Sequence, residues 1–282
     1  MNFSNVLRLA SPCALLLGLI LLLPELSDIA LAQQPNPQRK TFIGPYDSEF
    51  PYPVAEGRIG EKDAAALAEI KQSVGATGFP ERAGIEAQGL YTNGSAKTEQ
   101  QFPASVAIEK DGRFRLDVQK RNGIFSIRLA LRSGQAMRES GLTYTVHDID
   151  FGEPIAMPSQ LLEVADREDA AVVDDGDVVI GDYRMRRVTI TLFHSQMGDP
   201  AAAAFYFDPL SHLLEKSVLV SHSGTNRSLE YLKVITYGSY RAEQGVTLPH
   251  EYSETVNGQL IMTLKITSAN VTSRHDDTYF KF

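Results

Sequence analysis

The histidine and serine side chains are the groups in this chain whose chemistry could support catalysis. Ser195 follows His194 and Ser221 precedes His222, but catalytic partners meet in space rather than in sequence. No nucleophile elbow, phosphate-binding loop, zinc-protease motif or dinucleotide fingerprint is present. The six histidines are scattered without metal-ligand spacing: His147, His194, His212, His222, His250 and His275. The sequence therefore predicts a non-enzymatic protein without a cofactor, and a hydrolase using Ser195 or Ser221 is the minor alternative.

A cluster of carboxylates offers the oxygen ligands that calcium prefers: Asp174, Asp175, Asp177 and Asp182. The cluster lacks the full spacing and the terminal glutamate of an EF-hand loop. An Asp-Gly turn with solvated carboxylates is the simpler interpretation. We therefore predict a turn at residues 174–177 and no metal site.

Four arginines lie on the polar faces of neighbouring predicted strands: Arg113, Arg115, Arg128 and Arg132. Glu109 and Asp117 are close to them in sequence. Cross-strand charge pairs are the simplest interpretation. A basic strip that contacts lipid headgroups remains the alternative.

Alternation of apolar and polar residues predicts antiparallel strands along most of the chain. We expect the segments between residues 104 and 132 to form a three-stranded meander. The dipeptides Asn93-Gly94, Asn122-Gly123 and Asn257-Gly258 predict hairpin turns. The strand patterns cover residues 85–91, 104–109, 113–119, 125–132, 142–146, 188–192, 205–207, 213–220, 231–241 and 259–267.

Two segments have helical spacing of apolar residues. The first runs from Glu61 to about Val74 and is ended by the following glycines. The second lies between Pro154 and Asp169, with Pro158 suited to a first helical turn. We expect the patch Ala201–Ala204 to be a loop or one helical turn. Two helices and many antiparallel strands predict an α+β fold with a large curved antiparallel sheet.

The N-terminal segment has the pattern of a secretory signal peptide. Arg8 precedes the apolar run Ala14–Leu23, and Ala30-Leu31-Ala32 gives a cleavage pattern. Cleavage after Ala32 would remove Cys13, the only cysteine. The sequence thus predicts an exported, periplasmic protein, and a retained membrane anchor is the alternative. The predicted domains are a signal peptide at 1–32, a Pro-rich extended arm or linker at 33–60, and one domain at 61–282.

Composition excludes one class of partner. The 282 residues carry a formal charge of −8, and 43% of them are hydrophobic. An acidic chain lacks the basic face that phosphate binding requires, so nucleic acid is not an expected partner. The hydrophobic fraction is sufficient for a sizeable core.

The order of several short motifs resembles that of the LolA/LolB-like proteins, the periplasmic lipoprotein carriers and their relatives. The resemblance covers roughly residues 61–282 and includes the closing acidic-x-x-Phe element. The motifs are Gly112-Arg113-Phe114-Arg115-Leu116-Asp117-Val118, Phe205-Tyr206-Phe207-Asp208-Pro209, Leu213-Leu214-Glu215-Lys216, Tyr240-Arg241, Gly245-Val246-Thr247-Leu248-Pro249, Asp276-Asp277 and Phe280-Lys281-Phe282. The resemblance implies a half-open β-barrel with helices covering a concave apolar face that binds acyl chains. Lys110 or Arg113 is the nearest counterpart of the carriers' characteristic arginine.

The resemblance and the apolar strand faces together predict an apolar cavity for lipid or lipoprotein acyl chains. Its predicted lining is Phe114, Leu116, Val118, Phe125, Ile127, Leu129, Val188, Ile190, Leu260, Met262 and Leu264. Its predicted lid is Leu67, Ile70, Leu161 and Leu162. A core filled by these same side chains remains open as an alternative. A periplasmic sensor or protein-interaction module of the same fold, with a membrane-protein partner, is the second functional hypothesis.

Overall fold

The computed structural model describes residues 41–42, 50–79, 83–94, 100–110, 113–119, 129–132, 135–140, 143–148, 151, 157–194, 200–222 and 229–280. Residues 41–282 form one compact unit. Several predictions fall outside the described residues: the signal peptide, the Asn122-Gly123 turn, Phe125, Ile127, Arg128 and Ser195. Among the described residues, no helix has the length and apolar character needed to cross a membrane.

Strands dominate the described part of the chain. Two helices, α1 (Ala64–Thr77) and α2 (Met157–Ala165), and a 3-10 turn (Asp277–Phe280) accompany them. The strands are β1 (Thr41–Phe42), β2 (Ala83–Asn93), β3 (Gln101–Glu109), β4 (Phe114–Val118), β5 (Leu129–Arg132), β6 (Gln135–Ser140), β7 (Thr143–Asp148), β8 (Ala170–Ile180), β9 (Tyr183–Leu192), β10 (Ala201–Phe207), β11 (Leu214–His222), β12 (Leu229–Gly238), β13 (Arg241–Glu243), β14 (Val246–Leu248), β15 (Glu251–Val256) and β16 (Gln259–Ser273).

One curved antiparallel sheet organises the molecule. Ten strands follow the order β4-β3-β2-β16-β15-β12-β11-β10-β9-β8, and β1 adds to β12 in parallel. Strands β13 and β14 form a small hairpin, and β5, β6 and β7 form a separate three-stranded sheet. The predicted α+β fold with a large antiparallel sheet is confirmed.

The C-terminal hairpins follow the sequence closely. Asn257 and Gly258 connect β15 to β16 with φ values of 49° and 79°, as a two-residue turn with positive φ requires. In the turn after β10, the Asp208 carboxylate accepts hydrogen bonds from the backbone N–H groups of Leu210 and Ser211 at 3.0 and 2.6 Å. Short polar side chains thus fix the local register where the sequence predicts turns.

Other turn predictions are wrong. Asp174 to Asp177 lies inside β8, where Gly176, with φ of 76°, forms a bulge. The turn comes later, at residues 181–182. The carboxylates are held by arginines of the adjacent β9: Arg186 pairs with Asp174, Arg187 with Asp175 and Arg184 with Asp177. Asn93-Gly94 does not form a two-residue hairpin either, because β3 begins only at Gln101.

The predicted meander between residues 104 and 132 is only partly correct. β3 and β4 pair as antiparallel neighbours. β5, however, pairs with β6, a strand that the sequence analysis did not predict. Alternation identified β3, β4 and β5, but it did not identify β6 as the partner of β5.

Residues 201–204 are also not the loop or helical turn that the sequence suggests. They begin β10, a central strand in which every residue from Ala201 to Phe207 is buried. Alanine has a low strand propensity, but a strand covered on both faces by other elements can accept it. Tertiary packing overrides the local preference here.

The sheet has an inner and an outer face, and apolar residues are buried on both. We define the inner face as the one covered by α1 and α2, where Phe205 and Phe207 belong to the main core. On the outer face, Tyr206 belongs to a second cluster that contains Phe50. Phe50 and Tyr206 meet edge to face, with ring centroids 5.3 Å apart.

The chain from Phe50 to Asp63 runs along the sheet. The carbonyl of Val172 in β8 accepts a hydrogen bond from the Asp63 N–H at 2.9 Å, and the Val172 N–H donates to the Glu61 carbonyl at 2.8 Å. The Glu56 N–H donates to the Thr191 hydroxyl at 2.9 Å. The described part of the Pro-rich segment is therefore packed against the sheet, while the boundary at residue 60 stays a prediction.

Candidate functional site

The inner face of the sheet collects most of the residues that the sequence assigned to an apolar cavity. They come from strands at both ends of the strand order as well as its middle, and all are less than a tenth exposed. These are Phe114, Leu116, Val118, Val188, Ile190, Met262 and Leu264. One continuous apolar cluster thus spans the sheet, as alternating strands with a common inner face require.

The four predicted lid residues lie against the same cluster. Ile70 of α1 and Leu161 of α2 are fully buried within it. Leu67 and Leu162 are partly buried and pack on its surface. Both helices therefore cover the inner face with an apolar stripe, as amphipathic helices of this length do in folded proteins.

Three predicted lining residues are not placed in this cluster. Leu260 is 44% exposed at the start of β16, so it does not contribute to the buried surface. Phe125 and Ile127 lie outside the described residues. The backbone of Leu129 belongs to β5, in the separate three-stranded sheet.

Caps at its two ends hold α1 in position over the sheet. The Asp63 carboxylate caps the helix by accepting hydrogen bonds from the N–H groups of Ala65 and Ala66 at 2.7 and 3.2 Å. Gly78, with φ of 62°, ends the helix in the left-handed conformation. An added Cβ at Gly78 would lie 2.7 Å from the carbonyl oxygen of Gly245, in the turn of the small β13–β14 hairpin.

Lys62 links the start of α1 to the end of α2. Its Nζ donates hydrogen bonds to the carbonyl oxygens of Ala165 and Arg167, at 2.5 and 2.8 Å. A cation at a helix C-terminus interacts favourably with the free carbonyls and the helix dipole. Burial lowers the pKa of the Lys62 ammonium, and the nearby Asp166 and Asp169 oppose that shift. The two covering helices are thus held to each other at one end.

Sequence reasoning missed two polar side chains within the helix stripes. Ser73 is 1% exposed and Gln160 is 3% exposed. Among the described residues, Ser73 Oγ and Gln160 Nε2 have no hydrogen-bond partner. Leaving such a buried group unsatisfied costs about 1–3 kcal/mol. The signal was available in the sequence, because each residue falls at helical spacing among residues that the stripe buries.

Three tyrosines bring phenolic hydroxyl groups into the inner core. The Tyr237 and Tyr252 rings meet edge to face, with centroids 5.9 Å apart, and Tyr237 Oη lies 3.1 Å from Ser217 Oγ. Tyr240 Oη donates to the Leu214 carbonyl at 2.5 Å. Burial raises the pKa of both Tyr240 and Tyr252 above the ordinary value, so their phenols stay protonated at neutral pH. Neutral, bonded phenols serve packing rather than proton transfer.

Three of the described histidines have structural partners for their rings. His212 Nδ1 lies 2.9 Å from the Glu69 carboxylate of α1, and the buried His250 Nδ1 lies 3.1 Å from the Ile266 carbonyl. The His275 ring contacts the carboxylates of Glu86 and Glu109. In the described part of the chain, no group of three or more His, Cys, Asp or Glu side chains is arranged to hold a metal ion.

The arginines of the β3–β4 region hold the C-terminal segment. Arg115 Nε lies 2.8 Å from Asp117 Oδ2, and Arg115 Nη1 donates to the Tyr279 carbonyl at 2.6 Å. The Arg113 guanidinium stacks over the Phe280 ring, 4.9 Å from its centroid. Arg115 therefore pairs with a carboxylate of its own strand β4 and not across strands as predicted, whereas Arg113, just before β4, lies 3.9 Å from Glu109 of β3. The interactions with aromatic rings of the closing segment are additional.

Comparison with solved structures shows which known fold this architecture resembles. No protein-family model and no curated protein matches the sequence. The chain is similar to a LolA superfamily protein from Nitrosomonas europaea, with a TM-score of 0.51 and 9% identity over 77% of this chain and 97% of that one. The chain has a LolA-like fold.

Two further solved structures have similar coverage. One is an outer membrane lipoprotein-sorting protein domain, described as putative, from Vibrio parahaemolyticus, with a TM-score of 0.47, 11% identity, and coverage of 77% of this chain and 96% of that one. The other is a DUF1329 family protein from Desulfovibrio piger, with a TM-score of 0.49, 9% identity, and coverage of 77% and 97%. The likeness to the Nitrosomonas europaea protein confirms, at the level of the fold, the resemblance inferred from the order of short motifs.

Proposed function

We propose that this protein is a non-enzymatic carrier or binder of lipid or lipoprotein acyl chains. The observation that carries the proposal is the continuous apolar inner face of the sheet, which two short helices cover. In a LolA-like fold this is the surface on which an acyl chain would lie. Fold likeness supports the proposal by analogy, and the apolar lining supplies the physical reason.

Energetics favour such a guest. Transfer of apolar surface from water contributes about 25 cal/mol per Å². The apolar residues of α1 and α2 now contact side chains of the sheet. They could contact an acyl chain instead. Because both partners are apolar, that exchange costs little hydrophobic free energy. Ligand entry then requires α1 and α2 to shift relative to the sheet while Lys62 keeps them together.

We further propose that the protein acts after export. The N-terminal pattern of Arg8, an apolar run and Ala30-Leu31-Ala32 supports a signal peptide cleaved after Ala32. The periplasm is the compartment in which a protein that carries lipid between two membranes would work. Mass spectrometry of the mature N-terminus tests the cleavage position.

Retention of lipid through purification tests the proposed function. The mature protein should release acyl lipids on organic extraction, identified by mass spectrometry, and should take up a fluorescent fatty acid. Leu162→Arg places a cation at the partly buried edge of the α2 stripe and should reduce uptake. Leu210→Arg is the matched control, because Leu210 is 90% exposed in the turn after β10. Lipid-free protein that takes up no probe would refute the proposal.

A protein-interaction module is the second candidate, and the β8–β9 hairpin favours it. Val179 and Tyr183 near its tip are 72% and 71% exposed, and β8 is the last strand in the order of described strands. The backbone N–H and C=O groups of an edge strand can pair with a partner strand, and exposed apolar side chains beside them add contact surface. Pull-down of a membrane protein that Val179→Lys abolishes, with lipid uptake unchanged, would support this candidate.

A further inference from the structure

We propose that Gln160 and Ser73 form a polar subsite for a carbonyl oxygen of the acyl guest. The inference rests on the proposed lipid-binding function and deepens it. An apolar groove alone selects hydrocarbon of any kind. Two hydrogen-bond donors within it would select acyl esters or amides over alkyl chains that lack a carbonyl.

Gln160 lies on the inward face of α2. Its helical neighbours three and four residues away, Met157 and Val164, belong to the main core cluster. The whole Gln160 residue is 3% exposed, and its Nε2 has no hydrogen-bond partner among the described residues. A glutamine amide carries two N–H donors, so a donor is available within the apolar layer.

Ser73 occupies the equivalent place in α1. It follows Ala66 and Ile70 in the buried stripe at helical spacing, and it is 1% exposed. Thr77, one turn further on, satisfies its hydroxyl within the helix by donating to the Val74 carbonyl at 2.7 Å. Ser73 Oγ has no such bond in the described structure. The hydroxyl is therefore free to serve a group beyond its own helix.

The two helices pack against each other, and the buried apolar residues of both belong to the main core cluster. Ser73 and Gln160 are both uncharged. An ionised phosphate would need cationic partners in such surroundings, whereas a neutral carbonyl oxygen needs only one or two N–H or O–H donors. The chemistry therefore points to the acyl ester of a lipid or the acyl amide of a lipoprotein N-terminus.

A pair of probes that differ only in the carbonyl groups tests the inference. Dioctanoylglycerol carries two ester carbonyls, and the corresponding dioctyl glycerol ether has none. Binding of each to the mature protein is measured by calorimetry. The wild type should bind the ester about tenfold more tightly, the difference expected of one good hydrogen bond. Gln160→Leu should remove most of that preference, and Ser73→Ala should reduce it, with ether binding retained.

A matched control variant and the two probes together separate the failure of the subsite from the failure of lipid binding. Gln72→Leu alters an exposed glutamine of α1 and should keep the preference of the wild type. Equal wild-type affinity for ester and ether would overturn the subsite while leaving lipid binding intact. No binding of either probe would overturn the proposed function itself, and the subsite with it. If the ester preference survives in both Gln160→Leu and Ser73→Ala, its source lies elsewhere and the assignment is wrong. Comparing the affinity for a neutral N-acyl peptide with the affinity for dioctanoylglycerol distinguishes amide from ester guests.

Discussion

Glu109 accepts two hydrogen bonds from His275, one from the ring Nδ1 at 2.7 Å and one from the backbone N–H at 2.9 Å. The other ring nitrogen, Nε2, lies 2.7 Å from the Glu86 carboxylate. The ring also stacks on Tyr279, with centroids 4.4 Å apart. One histidine thus joins the closing segment of the chain to β2 and β3, and both of its nitrogens face acceptors. This arrangement is satisfied only by the doubly protonated imidazolium.

The first prediction concerns pH. Burial lowers the pKa of the His275 ring, but the hydrogen bonds to Glu86 and Glu109 outweigh that effect and raise the pKa overall. Because the folded value is raised, the stabilisation is fully present below the unfolded value of about 6.5 and is lost as pH rises through the folded pKa. We therefore expect the free energy of unfolding to fall as the pH rises through that window.

Urea titrations between about pH 6 and 9 measure this change. His275→Gln should flatten the pH dependence, whereas His194→Gln, which alters an exposed ring, should leave it as in the wild type. A wild type whose stability increases through this range would contradict the assigned role of His275.

The second prediction concerns the cap of α1. Asp63→Ala leaves the N–H groups of Ala65 and Ala66 without their acceptor, so we expect a loss of about 1 kcal/mol in stability. Asp63→Asn should cost much less, because asparagine caps helices about as well as aspartate. Chemical denaturation followed by circular dichroism gives both values. Equal losses in the two variants would show that charge, rather than capping, is what matters at this position.

The third prediction links stability to the donors inside the helix layer. Ser73→Ala and Gln160→Leu each remove a buried polar group that lacks a partner, so both variants should melt at higher temperature, by about 1 kcal/mol of added stability each. The measurement is thermal unfolding of lipid-free protein. Gln72→Leu should change the melting temperature little. A marked loss of stability in both inner variants would mean that these groups already have partners, such as buried water.

The fourth prediction concerns the outer face. Phe50 is 4% exposed, and Phe50→Ala removes its edge-to-face contact with Tyr206, so we expect a loss of about 3 kcal/mol. Val54→Ala should change stability by less than about 0.5 kcal/mol, because Val54 is 53% exposed. Limited proteolysis compares attachment of the segment in the two variants. Similar protease resistance and stability in both would contradict a structural role for Phe50.

The parts of the fold that the sequence predicts well are those governed by local chemistry. Asn257-Gly258 imposes positive φ at two successive residues, and only a few residue types accept that. Pro158 and the following apolar stripe likewise locate the ends of α2 to within three and four residues. Each of these features is decided within about ten residues, so no knowledge of distant partners is required.

Features decided by distant partners could not be predicted in this way. The three carboxylates between Asp174 and Asp177 belong to a strand because the adjacent β9 supplies an arginine that pairs with each of them. Ala201–Ala204 is a strand because neighbours cover both of its faces. The burial of Phe50 depends on a tyrosine more than 150 residues away in the sequence. For the candidate site, periodicity identified most of the inner face, but it could not identify the buried donors as unpartnered.

The second apolar layer, formed around Phe50 and Tyr206, stabilises the sheet independently of what occupies its inner face. This layer contacts strands β9 to β12 on the outer face of the sheet, away from the inner face on which the proposed ligand would lie. Loading and unloading would therefore alter only the helical side, and the framework could keep its shape through repeated cycles of exchange.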